Sequence, residues 1–163
     1  MCIRDRDNVT GLIWEQKTND GSLHDKNWTY TWYNPDNSTN GGSAGVENGG
    51  SCGGLLTKCN TQTYISALNN ANYCGYSDWH MPDQSELLSI VDHGRSMPSI
   101  NPIFSNTQSA AYWSGSRFFL PPPGFGALAW GVYFDIGGSS YVGYSDFSGS
   151  KYDYYVRAVR NSQ

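Results

Sequence analysis

Pro121-Pro122-Pro123 rules out regular structure across part of the chain's last third. Each proline lacks a backbone N–H, so a core strand would lose ladder bonds there and a helix would lose its internal ones. The stretch RFFLPPPGFGAL, from Arg117 to Leu128, is therefore predicted to be a loop. The segments on either side of it must then be separate elements. Yet the same stretch carries Phe118, Phe119, Leu120 and Phe125, apolar side chains that surface loops usually avoid. Such a loop either packs on something or binds something.

Around it, AAYWSGS, LAWGVYFDIG and YYVRAVR read as strands separated by Gly/Ser loops. Nearer the N-terminus, TGLIWEQKT reads as a strand, with Leu12 and Trp14 alternating against Ile13 and Glu15. WTYTWYN alternates in the same way, with Trp28, Tyr30 and Trp32 against Thr29, Thr31 and Tyr33. Residues 34–54 form a long Asn/Gly/Ser-rich loop containing Pro35. Helical spacing is confined to two stretches. Thr61 to Asn72 places Tyr64, Ile65 and Leu68 on one side, with Gly75 as terminator. Asp83 and Glu86 form a D-x-x-E cap ahead of the stripe Leu87, Leu88, Ile90 and Val91, with Gly94 as the expected end. Nothing after Asn101 looks helical. The expected class is α+β: a single domain with two short helices and a mostly antiparallel β C-terminal half.

The 163 residues suffice for one domain with a full core. Aromatics at 15% are too many for a disordered chain. A formal net charge of −4 without a Lys/Arg cluster gives nucleic acid no electrostatic hold. No apolar run approaches the roughly 18 residues of a membrane span. Cys2, Cys52, Cys59 and Cys74, in a Tyr/Gly/Asn-rich chain, read as disulfides and an oxidising location, extracellular or at the cell surface. Cys52–Cys59 closes a short loop. A Cys59–Cys74 bridge across the first helix would be strained, so Cys2–Cys74 follows if Cys2 is authentic. A zinc site is unsupported, because no C-x-x-C occurs and only three histidines exist. The acceptor patterns at Asn8, Asn27 and Asn37 are expected by chance in an Asn-rich chain. The opening MCIRDR resembles translated adaptor sequence, so residues 1–6 are expected to be a non-native or truncated end ahead of a domain at 7–160.

Four stretches occur in order: DNVTGLIWE, CGYSDWHMPDQSELLSIVD, INPIFSNT with YWSGS, and YVRAVR. Together they resemble the C-terminal domain of the Legionella collagen-like adhesin and its bacterial relatives. The resemblance implies a C-type lectin-like fold. One departure is His80 in DWHMP, where the family usually has arginine. A second resemblance lies within the first, to variable proteins of diversity-generating retroelements, which randomise adenines in Asn codons. Such codons cannot become Glu, Gln, Lys, Met or Trp. In residues 117–155 only Trp130 and Lys151 fall outside the accessible set, which marks 117–155 as the implied variable region. Ala129, Trp130, Val132, Phe134 and Gly137 would be constant, and Gly131, Tyr133, Asp135 and Ile136 variable. Period-2 alternation would turn Trp130, Val132 and Phe134 to the core and Gly131, Tyr133 and Asp135 outward.

The resulting expectation is a non-enzymatic module with one recognition patch. Its ligand-binding residues would be Phe118, Phe119, Leu120, Phe125, Gly131, Tyr133, Asp135, Tyr141, Tyr144, Asp146, Phe147, Tyr152 and Tyr154. Tyrosines among Gly and Ser suit recognition of a protein or a glycan. Formylglycine-generating enzymes share the broad fold, but they use cysteines in the C-terminal part, and here every cysteine lies at or before Cys74. No Ser-His-Asp or H-E-x-x-H arrangement appears, and His24, His80 and His93 stand alone. No cofactor or metal is expected. Asp135, Asp146 and Asp153 read as solvated carboxylates rather than calcium ligands. The tryptophans read mostly as core. The alternative is a structural or adhesive subunit of an extracellular assembly, a homo-oligomer whose loops 118–128 and 138–150 make subunit contacts.

Overall fold

The structure, a computed structural model, describes residues 4–40, 42–118, 128–143 and 152–162. Two antiparallel sheets organise the chain. In the first, β1 (Arg4–Arg6) and β6 (Val159–Asn161) flank β2 (Leu12–Glu15). Their register sets Ile13 opposite both Arg6 and Arg160, so the two ends of the domain are stitched together. The alternation expected at 12–15 is present, but it does not separate core from solvent. Leu12 and Trp14 enter one hydrophobic cluster and Ile13 the other, and all four residues are buried.

The stretch Trp28–Tyr33 is a correction. It forms isolated bridges rather than a strand of either sheet: Thr29 with Ser51, Tyr30 with Tyr154, Thr31 with Asn60, Tyr33 with Gly45. Four bridges reach four different segments, so the stretch is a crossroads. Its alternation fails because Tyr30, Thr31 and Trp32 are all buried in succession.

Helix α1 (Thr61–Asn70) starts where the Asn60 side chain accepts the Thr63 N–H at 2.7 Å, satisfying an otherwise orphaned donor. It buries Tyr64 and Leu68 as the spacing predicts. It ends at Asn70, and Tyr73–Gly75 forms a separate 3-10 turn with Gly75 at φ 79°. Helix α2 (Gln84–Ser89) opens with the capping box expected from D-x-x-E. Glu86 N–H donates to Asp83 Oδ1 at 2.7 Å, and Asp83 N–H donates to Glu86 Oε2 at 2.8 Å. It does not run to Gly94. After Ile90 the backbone bonds elsewhere, with Asp92 N–H donating to Ser99 O, and α2 stops after six residues.

The second sheet is β3 (Ala111–Phe118), β4 (Leu128–Tyr133) and β5 (Gly138–Gly143), with β4 central. The loop expected from Arg117 to Leu128 is corrected at its ends, where Arg117 pairs with Ala129 and Phe118 with Leu128, because the strand ladder extends that far; residues 119–127 lie outside the described residues. Both faces of this sheet are covered. Trp113, Ala129 and the half-buried Tyr133 join the cluster that also holds Tyr30, Trp32, Tyr64, Leu68 and Trp79. Tyr112, Val132 and Phe134 join the cluster of Trp14, Leu87, Ile90 and Phe104. Hence the expected inside-and-outside division of β4 is corrected. Val132 and Phe134 are fully buried, but so is Ala129 on the opposite face, while Trp130 is half-buried and belongs to neither cluster. Trp14, Trp32, Trp79 and Trp113 are core; Trp28 is half-buried. No helix among the described residues is long and apolar enough to cross a membrane.

Candidate functional site

Strand register determines where the expected recognition residues go. Phe118 pairs with Leu128, and Leu128 pairs with Gly143. Phe118, Leu128 and Gly143 thus lie together at one end of the β3–β4–β5 sheet; residues 119–127 and 144–151 lie outside the described residues. Tyr133 pairs with Ala111 and Gly138 at the other end, about 17 Å away for strands of this length. Asp135 and Ile136 lie in the turn beyond it, where Asp135 Oδ1 accepts the Ile136 N–H at 3.0 Å.

Among the described residues, three of the expected tyrosines come together near Tyr133. Tyr154 is half-buried, packs edge-on against Trp113 with centroids 4.7 Å apart, and hydrogen-bonds to Tyr133. Burial, the nearby Tyr133 and that bond push its phenol up to about 12. Tyr152 stands outside Tyr154, its ring parallel within 3° at 6.3 Å, and is exposed. Backbone bonds hold this ladder in place: Tyr154 exchanges two with Tyr30, and Tyr155 exchanges two with the Ala111–Trp113 strand. Beside it, Thr29 Oγ1 donates to Asp153 Oδ2 at 2.5 Å and accepts the Ser51 N–H at 3.2 Å. Gly131 is buried opposite Trp113 and presents no side chain. Tyr141 pairs with Trp130 across the strands. Phe119, Leu120, Phe125, Tyr144, Asp146 and Phe147 lie outside the described residues.

Thr29 and Ser51 lead to a disulfide. Cys52–Cys59 is formed as the spacing implied, and Cys74 is also disulfide-bonded, while Cys2 lies outside the described residues. The segment just before the Cys52–Cys59 disulfide presses on the crossroads. A Cβ on Gly50 would lie 2.2 Å from Thr29 O and 2.8 Å from Cys59 O, so only glycine fits.

A polar hub that the sequence reading missed lies beneath this surface. Glu15 is fully buried. Its Oε1 receives Lys17 Nζ at 3.0 Å, lies 2.9 Å from His24 Nδ1 and accepts the Tyr64 hydroxyl; its Oε2 accepts the Ala158 N–H at 2.9 Å. Arg157, also fully buried, donates to Glu15 O at 2.6 Å and to Thr107 Oγ1 at 2.7 Å. Arg160 forms two bonds to Asp78, at 2.7 and 3.0 Å, and its guanidinium lies 3.7 Å from the Tyr76 ring centre. The signal was available: charged residues inside the apolar stretches LIWEQK and YVRAVR must be paired if buried. His80 backbone-pairs with Val159 and places Nε2 3.7 Å from Glu86 Oε1.

The hub is where the ordered motifs meet. Glu15 comes from the first, Asp78 and His80 from the second, Phe104 and Thr107 from the third, Arg157 and Arg160 from the last. Residues 5–160 match the family model of the Lcl C-terminal domain. The chain belongs to that family. No curated protein and no solved structure matches it. In this Lcl C-terminal domain the motif residues make the buried frame, and the aromatic ladder sits on it through Tyr30 and Trp113.

Proposed function

We propose that the chain is a non-enzymatic ligand-binding module of an extracellular or cell-surface protein, adhesin-like, with a variable recognition surface built on a constant frame. The observation that carries this reading is the aromatic ladder, in which the exposed Tyr152 stacks on Tyr154 and Tyr154 packs on the buried Trp113. The reading assigns the variable contacts to residues 119–127 and 144–151, which lie outside the described residues, and the constant frame to Glu15, Arg157 and Arg160. A C-type lectin-like fold and a diversity-generating retroelement origin belong to the same proposal. The disulfide suits an oxidising location. The titratable cluster around Glu15 is buried with its groups bonded to one another, which suits framework better than catalysis.

The test replaces residues 119–127 and 144–151 with Gly/Ser/Asn linkers of equal length. Parent and replaced chains are compared on protein and glycan arrays. The expected result is an unchanged melting temperature with loss of the parent's binding. Retention of all binding by the replaced chain refutes the reading. A parent that binds nothing, but whose sedimentation mass falls when the loops are replaced, favours an assembly subunit instead.

A further inference from the structure

We propose that Asn48 is a site of spontaneous deamidation, selected over the other Asn-Gly pair by the fold. The chain has two Asn-Gly dipeptides, Asn40-Gly41 and Asn48-Gly49, and one Asp-Gly, Asp20-Gly21. In each, the glycine nitrogen can attack the preceding side-chain carbonyl carbon, because glycine has no Cβ to block the approach. For Asn48 the Gly49 nitrogen loses its proton to hydroxide and forms a bond to Asn48 Cγ. The Cγ–Nδ2 bond then breaks, Nδ2 takes a proton from water, and ammonia leaves. Water opens the resulting succinimide at either carbonyl, giving aspartate or isoaspartate at position 48.

Tertiary structure makes the three sites unequal. Asn48 and Gly49 are both exposed, and the Gly49 N–H has no acceptor among the described residues. Asn48 Oδ1 accepts the Cys59 N–H at 3.0 Å, which polarises the carbonyl under attack and stabilises the oxyanion that forms on it. Asn40 is 3% exposed, and its Nδ2 donates to Asn34 O and Asn37 Oδ1, both at 3.1 Å, so the leaving group is held. At Asp20-Gly21 the nucleophile is occupied: Gly21 N–H donates to Asp25 Oδ2 at 2.7 Å.

The product adds a negative charge beside Glu47, which already pairs with Lys58, to a chain of formal net charge −4. Isoaspartate also lengthens the backbone two residues before Gly50, where the loop is wedged against Thr29 and Cys59.

The test is internally controlled. The full chain is incubated at mildly alkaline pH, folded and in urea, and Asn48 and Asn40 are followed by peptide mass mapping. In urea the two Asn-Gly pairs share their local chemistry and should convert at similar rates. In the folded protein Asn48 should convert at least about tenfold faster than Asn40, equivalent to about 1.4 kcal/mol in barrier. It should slow as pH falls and slow strongly in Gly49→Ala. Equal rates in the folded protein, or protection of both sites, overturns the proposal.

Discussion

Glu15→Gln tests the hub directly. The Glu15 and Lys17 side chains are 0% and 3% exposed. The substituted amide keeps one acceptor oxygen, so it can accept from Tyr64 or from Ala158 but not from both, and it leaves the Lys17 ammonium buried without its counter-charge. Breaking a buried pair on one side costs about 3–5 kcal/mol. For a domain of this size that is about 6–20 °C in melting temperature. Adding Lys17→Met removes the stranded charge, so the double variant should recover part of the loss. The pH dependence supplies a second arm. Burial pushes the Glu15 carboxyl up, but Lys17, the His24 bond and the Ala158 N–H outweigh it and hold it at about 2. A depressed folded pKa contributes stability that is complete above the ordinary carboxylate range and is lost as pH falls through about 2. The ceiling on that contribution is about 3 kcal/mol. Burial also pulls the Lys17 ammonium below its ordinary range, with Glu15 only partly restoring it, and that subtracts from the ceiling. Urea titrations should therefore show the gap between parent and Glu15→Gln at about pH 6 narrowing by about pH 2.5. A gap below about 1 kcal/mol at neutral pH, or one that does not narrow in acid, would refute the hub as an energetic centre.

Replacing Cys52 and Cys59 together by serine should cost about 2–2.5 kcal/mol, from a loop with sequence separation 7; unchanged urea unfolding would contradict it. Gly50→Ala should cost more than about 2 kcal/mol, because its Cβ would meet backbone atoms that cannot rotate away; a neutral thermal melt would show that the wedge at Thr29 is not tight. Tyr133→Ser should cost about 1–3 kcal/mol through lost packing and the lost Tyr154 bond. Tyr152→Ser should stay within about 0.5 kcal/mol, since its ring is exposed. Equal losses in denaturant titrations would erase the distinction between the root and the tip of the ladder.

Local chemistry was legible wherever it acted within a few residues. Asp83 and Glu86 announced their reciprocal cap, Tyr64 and Leu68 their buried stripe, and Cys52 and Cys59 their short loop. The ordered motifs were enough to identify the family. What the alternating patterns could not convey was how many sides of a strand are covered. Leu12–Glu15 and β4 both alternate, yet each is buried on two faces, because the two hydrophobic clusters lie on opposite sides of them. The partners of Glu15 were equally invisible. Tyr64 is 49 residues away and Ala158 is 143. A buried charge in a strand says only that compensation must exist; which side chain supplies it depends on which distant segments the packed core brings within hydrogen-bonding reach.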